Sequence, residues 1–202
     1  MLDSAARRLI DPPLNRLGHL LAARGISADI VTVIGLALGL GAAGLIALGL
    51  PHLALGLILA SRLADGLDGA VARATQRTDF GGLIDIVADF AFYAAVPLAF
   101  VWTDPAVNGM AGAFLVATFY VNGATFLGLA ALAARRGIET TAQGLKSLYY
   151  SNGLLEGTET IAFFVALCLW PAAFASLAWG FGLLCLLTAG LRLAGARALL
   201  RG

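Results

Sequence analysis

The amino-acid sequence predicts an all-α integral membrane protein with six transmembrane helices, preceded by an amphipathic helix that lies in the membrane interface. Of its 202 residues, 60% are hydrophobic and only 12% are charged, which leaves room for one membrane domain. The apolar residues form six runs, each close to the roughly 20 residues needed to cross a bilayer. No run of basic residues indicates nucleic-acid binding.

The predicted spans are Ile30–Leu50, Leu53–Arg73, Gly81–Trp102, Asn108–Ala134, Leu148–Trp170 and Ala172–Leu193. Arginine and lysine precede the first span and follow the second, fourth and sixth, whereas the other connections contain neither. Because basic residues accumulate in cytoplasmic loops, we expect both termini and the end of the second span to face the cytoplasm of a bacterial inner membrane. The chain then divides into an N-terminal interfacial arm, residues 1–28, and a membrane domain, residues 29–202.

The arm is predicted to contain a helix that begins after Pro12 and Pro13. Asn15 and His19 lie on its polar side. A leucine stripe opposite polar residues is typical of a helix in the headgroup region, and the alternative is a solvent-exposed helix packed on the domain. The residues of the stripe are Leu14, Leu17, Leu20 and Leu21.

Four aspartates interrupt the second and third spans, and they are Asp65, Asp68, Asp85 and Asp89. A charge at membrane depth costs at least a few kcal/mol, so these acids indicate a functional site. The short connection between the spans predicts an antiparallel helix pair. Asp65 lies eight residues before Arg73 and Asp89 eight after Gly81, which places both about 12 Å from the same membrane face. We therefore expect a square of carboxylates that opens to one side.

Carboxylate oxygens without nearby histidine or cysteine favour Mg²⁺, Mn²⁺ or Ca²⁺, and four acids suit two ions better than one. Arg73, Arg77 and the helix N-terminus at Gly81 would lie beside them, and such groups bind phosphate oxygens. The residues thus indicate metal-assisted chemistry on a phosphate compound. An alternative of a different class is an intramembrane carrier of divalent cations or protons.

Two segments, Asp65-x-x-Asp68-Gly69-x-x-Ala72-Arg73 and Gly81-x-x-x-Asp85-x-x-x-Asp89, resemble the signature of the CDP-alcohol phosphatidyltransferases. Seven residues separate Arg73 from Gly81, where the family pattern usually has eight. Within the family, the chain looks similar to phosphatidylglycerophosphate and phosphatidylinositol-phosphate synthases.

The resemblance implies transfer of a phosphatidyl group from CDP-diacylglycerol to an alcohol, with release of CMP. It implies two ions, Mg²⁺ or Mn²⁺, held by the four aspartates, with Asp89 as general base, and a homodimer in the lipid bilayer. Nucleotide and phosphate binding would involve Gly69, Ala72, Arg73, Arg77 and Thr32.

The sequence leaves the acceptor alcohol open. Glycerol 3-phosphate is the lead candidate and inositol phosphate the next, while a CDP-aminoalcohol that reacts with diacylglycerol is an alternative donor. Glu156 and Glu159 could instead form an ion pair with Arg62, and the arginines after the fourth span could serve as a topology signal. The candidate residues of the acceptor pocket are Lys146, Asn152, Glu156, Glu159, Arg135 and Arg136.

Overall fold

The structure, a computed structural model, describes residues 3–136, 155 and 157–200. These residues form α-helices and one short 3₁₀ turn, with no strand among them, so the all-α prediction is confirmed. The helices are α1 Asp3–Ala23, α2 Ala28–Ala47, α3 Pro51–Ala74, α4 Asp79–Thr103, α5 Pro105–Arg135, α6 Gly157–Leu169 and α7 Phe174–Leu200.

Within the described part of the chain, four helical segments are long and apolar enough to cross a membrane: α2, α4, α5 and Pro171–Arg197. Helix α6 is apolar but shorter. Helix α3, the predicted second span, has 24 residues and carries the charges discussed below. The predicted number of six spans therefore stays a prediction.

The helices begin where their capping residues allow it. The Ser27 side chain accepts a hydrogen bond from the Ile30 N–H and so caps α2. Thr78 caps α4 by accepting from the Gly81 N–H at 2.9 Å. Pro51 occupies the first turn of α3, where the missing proline N–H leaves no intrahelical bond unmade.

Helix α1 begins at Asp3 and includes Pro12 and Pro13, so the prediction that it begins after these prolines was wrong. A proline removes one backbone hydrogen bond from a helix but does not always end it. The helix lies against α3, where a Cβ added at Gly18 would stand 2.8 Å from Ala70. Leu17, in the leucine stripe, remains exposed.

Helix α2 packs against both α3 and α4, and α5 packs against α7. Although a short connection joins α3 to α4, these two helices make few close backbone contacts with each other. The faces of α3 and α4 that carry the aspartates therefore border the space between these two helices. The core of the bundle is aromatic, and its largest fully buried side chains include Phe92, Phe100, Phe164 and Phe174.

A close approach at Gly39 fixes α2 against this core. A Cβ at Gly39 would stand 2.6 Å from the Phe92 ring and 3.0 Å from the Ser61 Oγ, whereas a Cβ at Gly44, in the same helix, would meet nothing within 4 Å. We expect Gly39→Ala to destabilise the protein by about 1–3 kcal/mol through overpacking. Gly44→Ala is the matched control and should be neutral. Thermal unfolding in detergent measures both, and equal unfolding temperatures would contradict the assigned packing.

Candidate active site

Three of the four aspartates meet between α3 and α4. Asp65, Asp85 and Asp89 each offer a carboxylate oxygen, and these three oxygens lie within 4.8 Å of one another. Two oxygens on opposite sides of one divalent cation are separated by about 4–5 Å, twice a metal–oxygen distance of about 2.1–2.5 Å. All three ligand atoms are carboxylate oxygens, which suits a hard cation. We refer to these three residues as the carboxylate cluster, and they fit a divalent metal site.

Asp68 is not among the three acids whose oxygens lie within 4.8 Å of one another, but it lines the same cleft as Asp85. Its side chain is buried, and its Oδ2 accepts a hydrogen bond from the Thr32 hydroxyl at 2.5 Å. The two residues belong to α3 and α2, so this bond joins the first span to the acidic helix. The predicted square of four acids is thus three acids close together and one held by a neighbouring hydroxyl.

The hydrogen bond from the Thr32 hydroxyl to Asp68 should contribute to the stability of the fold. We expect Thr32→Val to lower the unfolding temperature in detergent with EDTA, because the buried Asp68 loses a hydrogen bond worth about 1.5–3 kcal/mol to a charged group. Thr32→Ser retains the hydroxyl and is the matched control. If valine and serine gave the same unfolding temperature, the Thr32–Asp68 hydrogen bond would carry no stability.

A cleft of about 380 Å³, which we call the polar cleft, lies beside Asp68 between the start of α2, the end of α3 and the start of α4. All the residues predicted to bind nucleotide or phosphate line it, together with Asp68 and Asp85. Helix α1 helps to position the Arg73 side chain, because the Arg73 Nη2 donates to the Asn15 Oδ1 at 2.9 Å. Asn15, on the polar side of the arm, therefore contacts α3. The predicted residues of the polar cleft are Thr32, Gly69, Ala72, Arg73 and Arg77.

A larger inner cavity of about 490 Å³ lies on the other side of the carboxylate cluster, between α3, α4, α5, α6 and α7. Asp65 and Asp89 line it on one side and Arg192 on another. The rest of its wall is mostly apolar. The carboxylate cluster therefore borders both spaces, because Asp85 lines the polar cleft and the other two line the inner cavity.

Arg192, which lies near the end of the predicted sixth span, is a functional candidate that the sequence did not reveal. Only 8% of its surface is exposed, and its Nη1 donates to the Asn122 Oδ1 at 2.8 Å and the Thr125 Oγ1 at 2.9 Å. Its Nε is buried and has no hydrogen-bond partner among the residues the structure describes. An arginine near the end of an otherwise apolar span was the available signal, and the cost of burying charge in the membrane applies to it as well.

The predicted acceptor residues are only partly described. Lys146, Asn152 and Glu156 lie outside the described residues. Arg135 and Arg136 are exposed at the end of α5 and are absent from the described lining of both cavities. Glu159 is half-buried and is also absent from that lining, although its neighbours Thr158 and Thr160 line the inner cavity.

Comparison with known proteins assigns the chain to a family. The profile of the family described as CDP-alcohol phosphatidyltransferase matches residues 26–191. The chain belongs to this family. The CDP-alcohol phosphatidyltransferases are phosphotransferases, so this protein is an enzyme, and the family predicted from the aspartate spacing is confirmed.

Curated relatives extend the comparison. The inner membrane protein YnjF of Escherichia coli strain K12 is 46% identical over 188 residues, which cover 93% of this chain and 91% of that protein. The archaetidylinositol phosphate synthase of Pyrococcus horikoshii is 41% identical over 88 residues, which cover 43% of this chain and 46% of that protein.

Solved structures of a phosphatidylinositol phosphate synthase from Mycobacterium tuberculosis share the fold of this CDP-alcohol phosphatidyltransferase. The structure with CDP-DAG bound matches with a TM-score of 0.71 at 20% identity, over 91% of this chain and 92% of the other. The structure in complex with manganese and citrate matches with a TM-score of 0.72 at 21% identity, over 91% and 88%.

Proposed function

We propose that this protein transfers a phosphatidyl group from CDP-diacylglycerol to a small phosphorylated alcohol and releases CMP, with the help of two divalent cations. The observation that carries the proposal is the position of the carboxylate cluster between the polar cleft and the inner cavity. A donor and an acceptor can then approach the same metal site from two directions. A bound cation in this place would neutralise the pyrophosphate and stabilise negative charge on the departing CMP.

The polar cleft suits the nucleotide and pyrophosphate of the donor. Arg73 and Arg77 are its basic groups, and the first turn of α4 lies beside it, where the positive end of the helix dipole favours phosphate oxygens. Gly69 keeps the cleft open next to Arg73, since a Cβ there would lie 3.3 Å from the arginine Nη1. The mostly apolar wall of the inner cavity suits the lipid part of the reactants.

The carboxylate cluster would hold the metal through Asp65, Asp85 and Asp89, with Asp68 as the further ligand predicted from the sequence. We assign the general base to Asp89, which lines the inner cavity. It would accept the proton of the acceptor hydroxyl as that oxygen bonds to phosphorus and the bond from phosphorus to CMP breaks. Mg²⁺ and Mn²⁺ both suit this ligand set.

The charge in the inner cavity supports an acceptor that carries a phosphate. Arg62 lines the cavity but is neutralised by Asp89, at 2.7 Å. Arg192 contacts only neutral groups in the described part of the protein, so its positive charge is available to an anion. Glycerol 3-phosphate and inositol phosphate both meet this requirement. The second gains support from the names of the two synthases to which the chain is similar.

We further propose that the protein lies in a bacterial inner membrane as a homodimer, with six spans, the residue 1–28 arm in the interface, and both termini and the active site on the cytoplasmic side. The distribution of arginine and lysine supports this orientation, and the similarity to an Escherichia coli inner membrane protein supports the location. The exposed leucines of α1 suit an interfacial helix.

The test is CMP release by the purified protein in detergent. Each reaction would contain CDP-diacylglycerol, Mg²⁺ or Mn²⁺, and one acceptor from a panel of glycerol 3-phosphate, inositol phosphate, inositol and serine. We expect metal-dependent release of CMP with one of the two phosphorylated acceptors. Release only with inositol or serine would contradict the role assigned to Arg192. Release only with a CDP-aminoalcohol and diacylglycerol would contradict the proposed donor.

A further inference from the structure

Arg62 lies in contact with the carboxylate cluster, one helical turn before Asp65. Its Nη1 donates to the Asp89 Oδ1 at 2.7 Å and lies 3.4 Å from the Asp65 Oδ1. The cluster therefore includes a permanent cation supplied by the chain itself, since an arginine guanidinium does not lose its proton in proteins.

The guanidinium is fixed in place by its other neighbours. Only 7% of the Arg62 side chain is exposed, and its Cζ lies 4.1 Å from the centre of the Phe92 ring. Its Nη2 donates to the Ser61 Oγ at 3.2 Å, and that hydroxyl in turn donates to the Gly35 carbonyl at 2.7 Å. A buried aromatic ring on one face and a hydrogen-bonded hydroxyl at one edge define a single position for the charge.

Two physical consequences follow from this position. Carboxylates held within 4.8 Å of one another in a membrane repel each other strongly unless a cation lies between them, and Arg62 supplies one before any metal binds. The same guanidinium also contacts one carboxylate oxygen of Asp89 and lies beside one of Asp65, so it competes with a metal for these two side chains, and its charge repels an incoming divalent cation.

We propose that Arg62 is a built-in counter-cation that stabilises the metal-free cluster and weakens its affinity for divalent metal. The inference rests on the metal site of the proposed function. Arg62 is then a positioning residue that makes metal binding readily reversible. Without metal, Asp89 and Asp65 pair with the Arg62 guanidinium, and when a metal binds they pair with the metal. Metal occupancy then follows the concentration of free cation around the protein.

The test compares Mn²⁺ binding by the full-length protein and by Arg62→Met, with free Mn²⁺ measured by electron paramagnetic resonance. Methionine keeps contact with Phe92 but removes the charge. We expect Arg62→Met to bind Mn²⁺ at least about tenfold more tightly, because a charge within ~4–6 Å shifts such equilibria by one or more powers of ten. Arg62→Lys should bind like the original protein. Arg197→Met, which removes an exposed arginine of α7, is the matched control.

Thermal unfolding gives an independent readout. In EDTA, Arg62→Met should unfold at a lower temperature than the original protein, and Mn²⁺ should raise its unfolding temperature by more. Equal or weaker Mn²⁺ binding by Arg62→Met would overturn the proposal and leave the metal site intact. The proposal would also be overturned if neither Arg62→Met nor Arg62→Gln folded even with Mn²⁺. Bound metal would then be unable to neutralise the carboxylates in place of the guanidinium. Absence of Mn²⁺ binding in every variant, the original included, would instead contradict the metal site itself.

Discussion

The Asp89→Asn variant is expected to fold and to bind donor, yet to release CMP at least about 10²–10⁴-fold more slowly than the original protein, the usual contribution of a general base. Asparagine has nearly the same shape and keeps an oxygen that can accept the hydrogen bond from Arg62. It cannot take the proton of the acceptor hydroxyl, and it is a weaker ligand for a hard cation. The initial rate of CMP release at saturating acceptor measures this effect.

Asp104→Asn is the matched control for this substitution. Asp104 precedes α5 and accepts a hydrogen bond from the Val107 N–H at 3.1 Å, a capping role that asparagine fills equally well. Its CMP release and unfolding temperature should equal those of the original protein. An Asp89→Asn enzyme with a near-normal rate would remove Asp89 from the role of base.

The Arg192→Gln variant is expected to raise the KM for a phosphorylated acceptor by about 10–100-fold, while kcat changes less. A hydrogen bond to a charged group is worth about 1.5–3 kcal/mol, and each 1.4 kcal/mol corresponds to a factor of ten in affinity. Among the residues that the structure describes, the Arg192 Nε is buried without a hydrogen-bond partner and the guanidinium donates only to neutral groups, which is the structural basis of this expectation. Steady-state kinetics with varied acceptor and saturating donor give the two constants separately.

Two controls distinguish binding from stability. Arg197→Gln changes an exposed arginine on the same helix and should leave both constants unchanged. Arg192→Lys retains the charge and should restore part of the affinity. If kcat fell while KM stayed unchanged, Arg192 would support the fold through Asn122 and Thr125 and would not bind the acceptor.

The fold class and the presence of an acidic cluster could be predicted because they depend on local sequence. A charge at membrane depth is costly wherever it occurs, and helical spacing places Asp85 and Asp89 on one face of α4. The N-cap of α2 at Ser27 depends on the same kind of local chemistry. Helix α1 was misjudged because a proline pair usually begins a helix, while contacts with α3, distant in sequence, carry α1 through both prolines.

The partners of the buried arginines could not be predicted, because they depend on how the spans pack. Arg62 is 27 residues from Asp89, and Arg192 is 70 residues from Asn122. Nothing in the local pattern of either segment specifies these pairs. For the same reason, the hydrogen bond between Thr32 and Asp68 appears only once α2 is packed against α3.

The most direct test of phosphatidyl transfer is to follow both products in one reaction. The purified protein in detergent would receive CDP-diacylglycerol, Mg²⁺ and glycerol 3-phosphate or inositol phosphate labelled with ³²P, and the label in extracted lipid would be compared with CMP released. We predict that one acceptor gives equal molar amounts of CMP and labelled lipid, both abolished by EDTA. Release of CMP without labelled lipid would show hydrolysis of the donor and would contradict the proposed transfer.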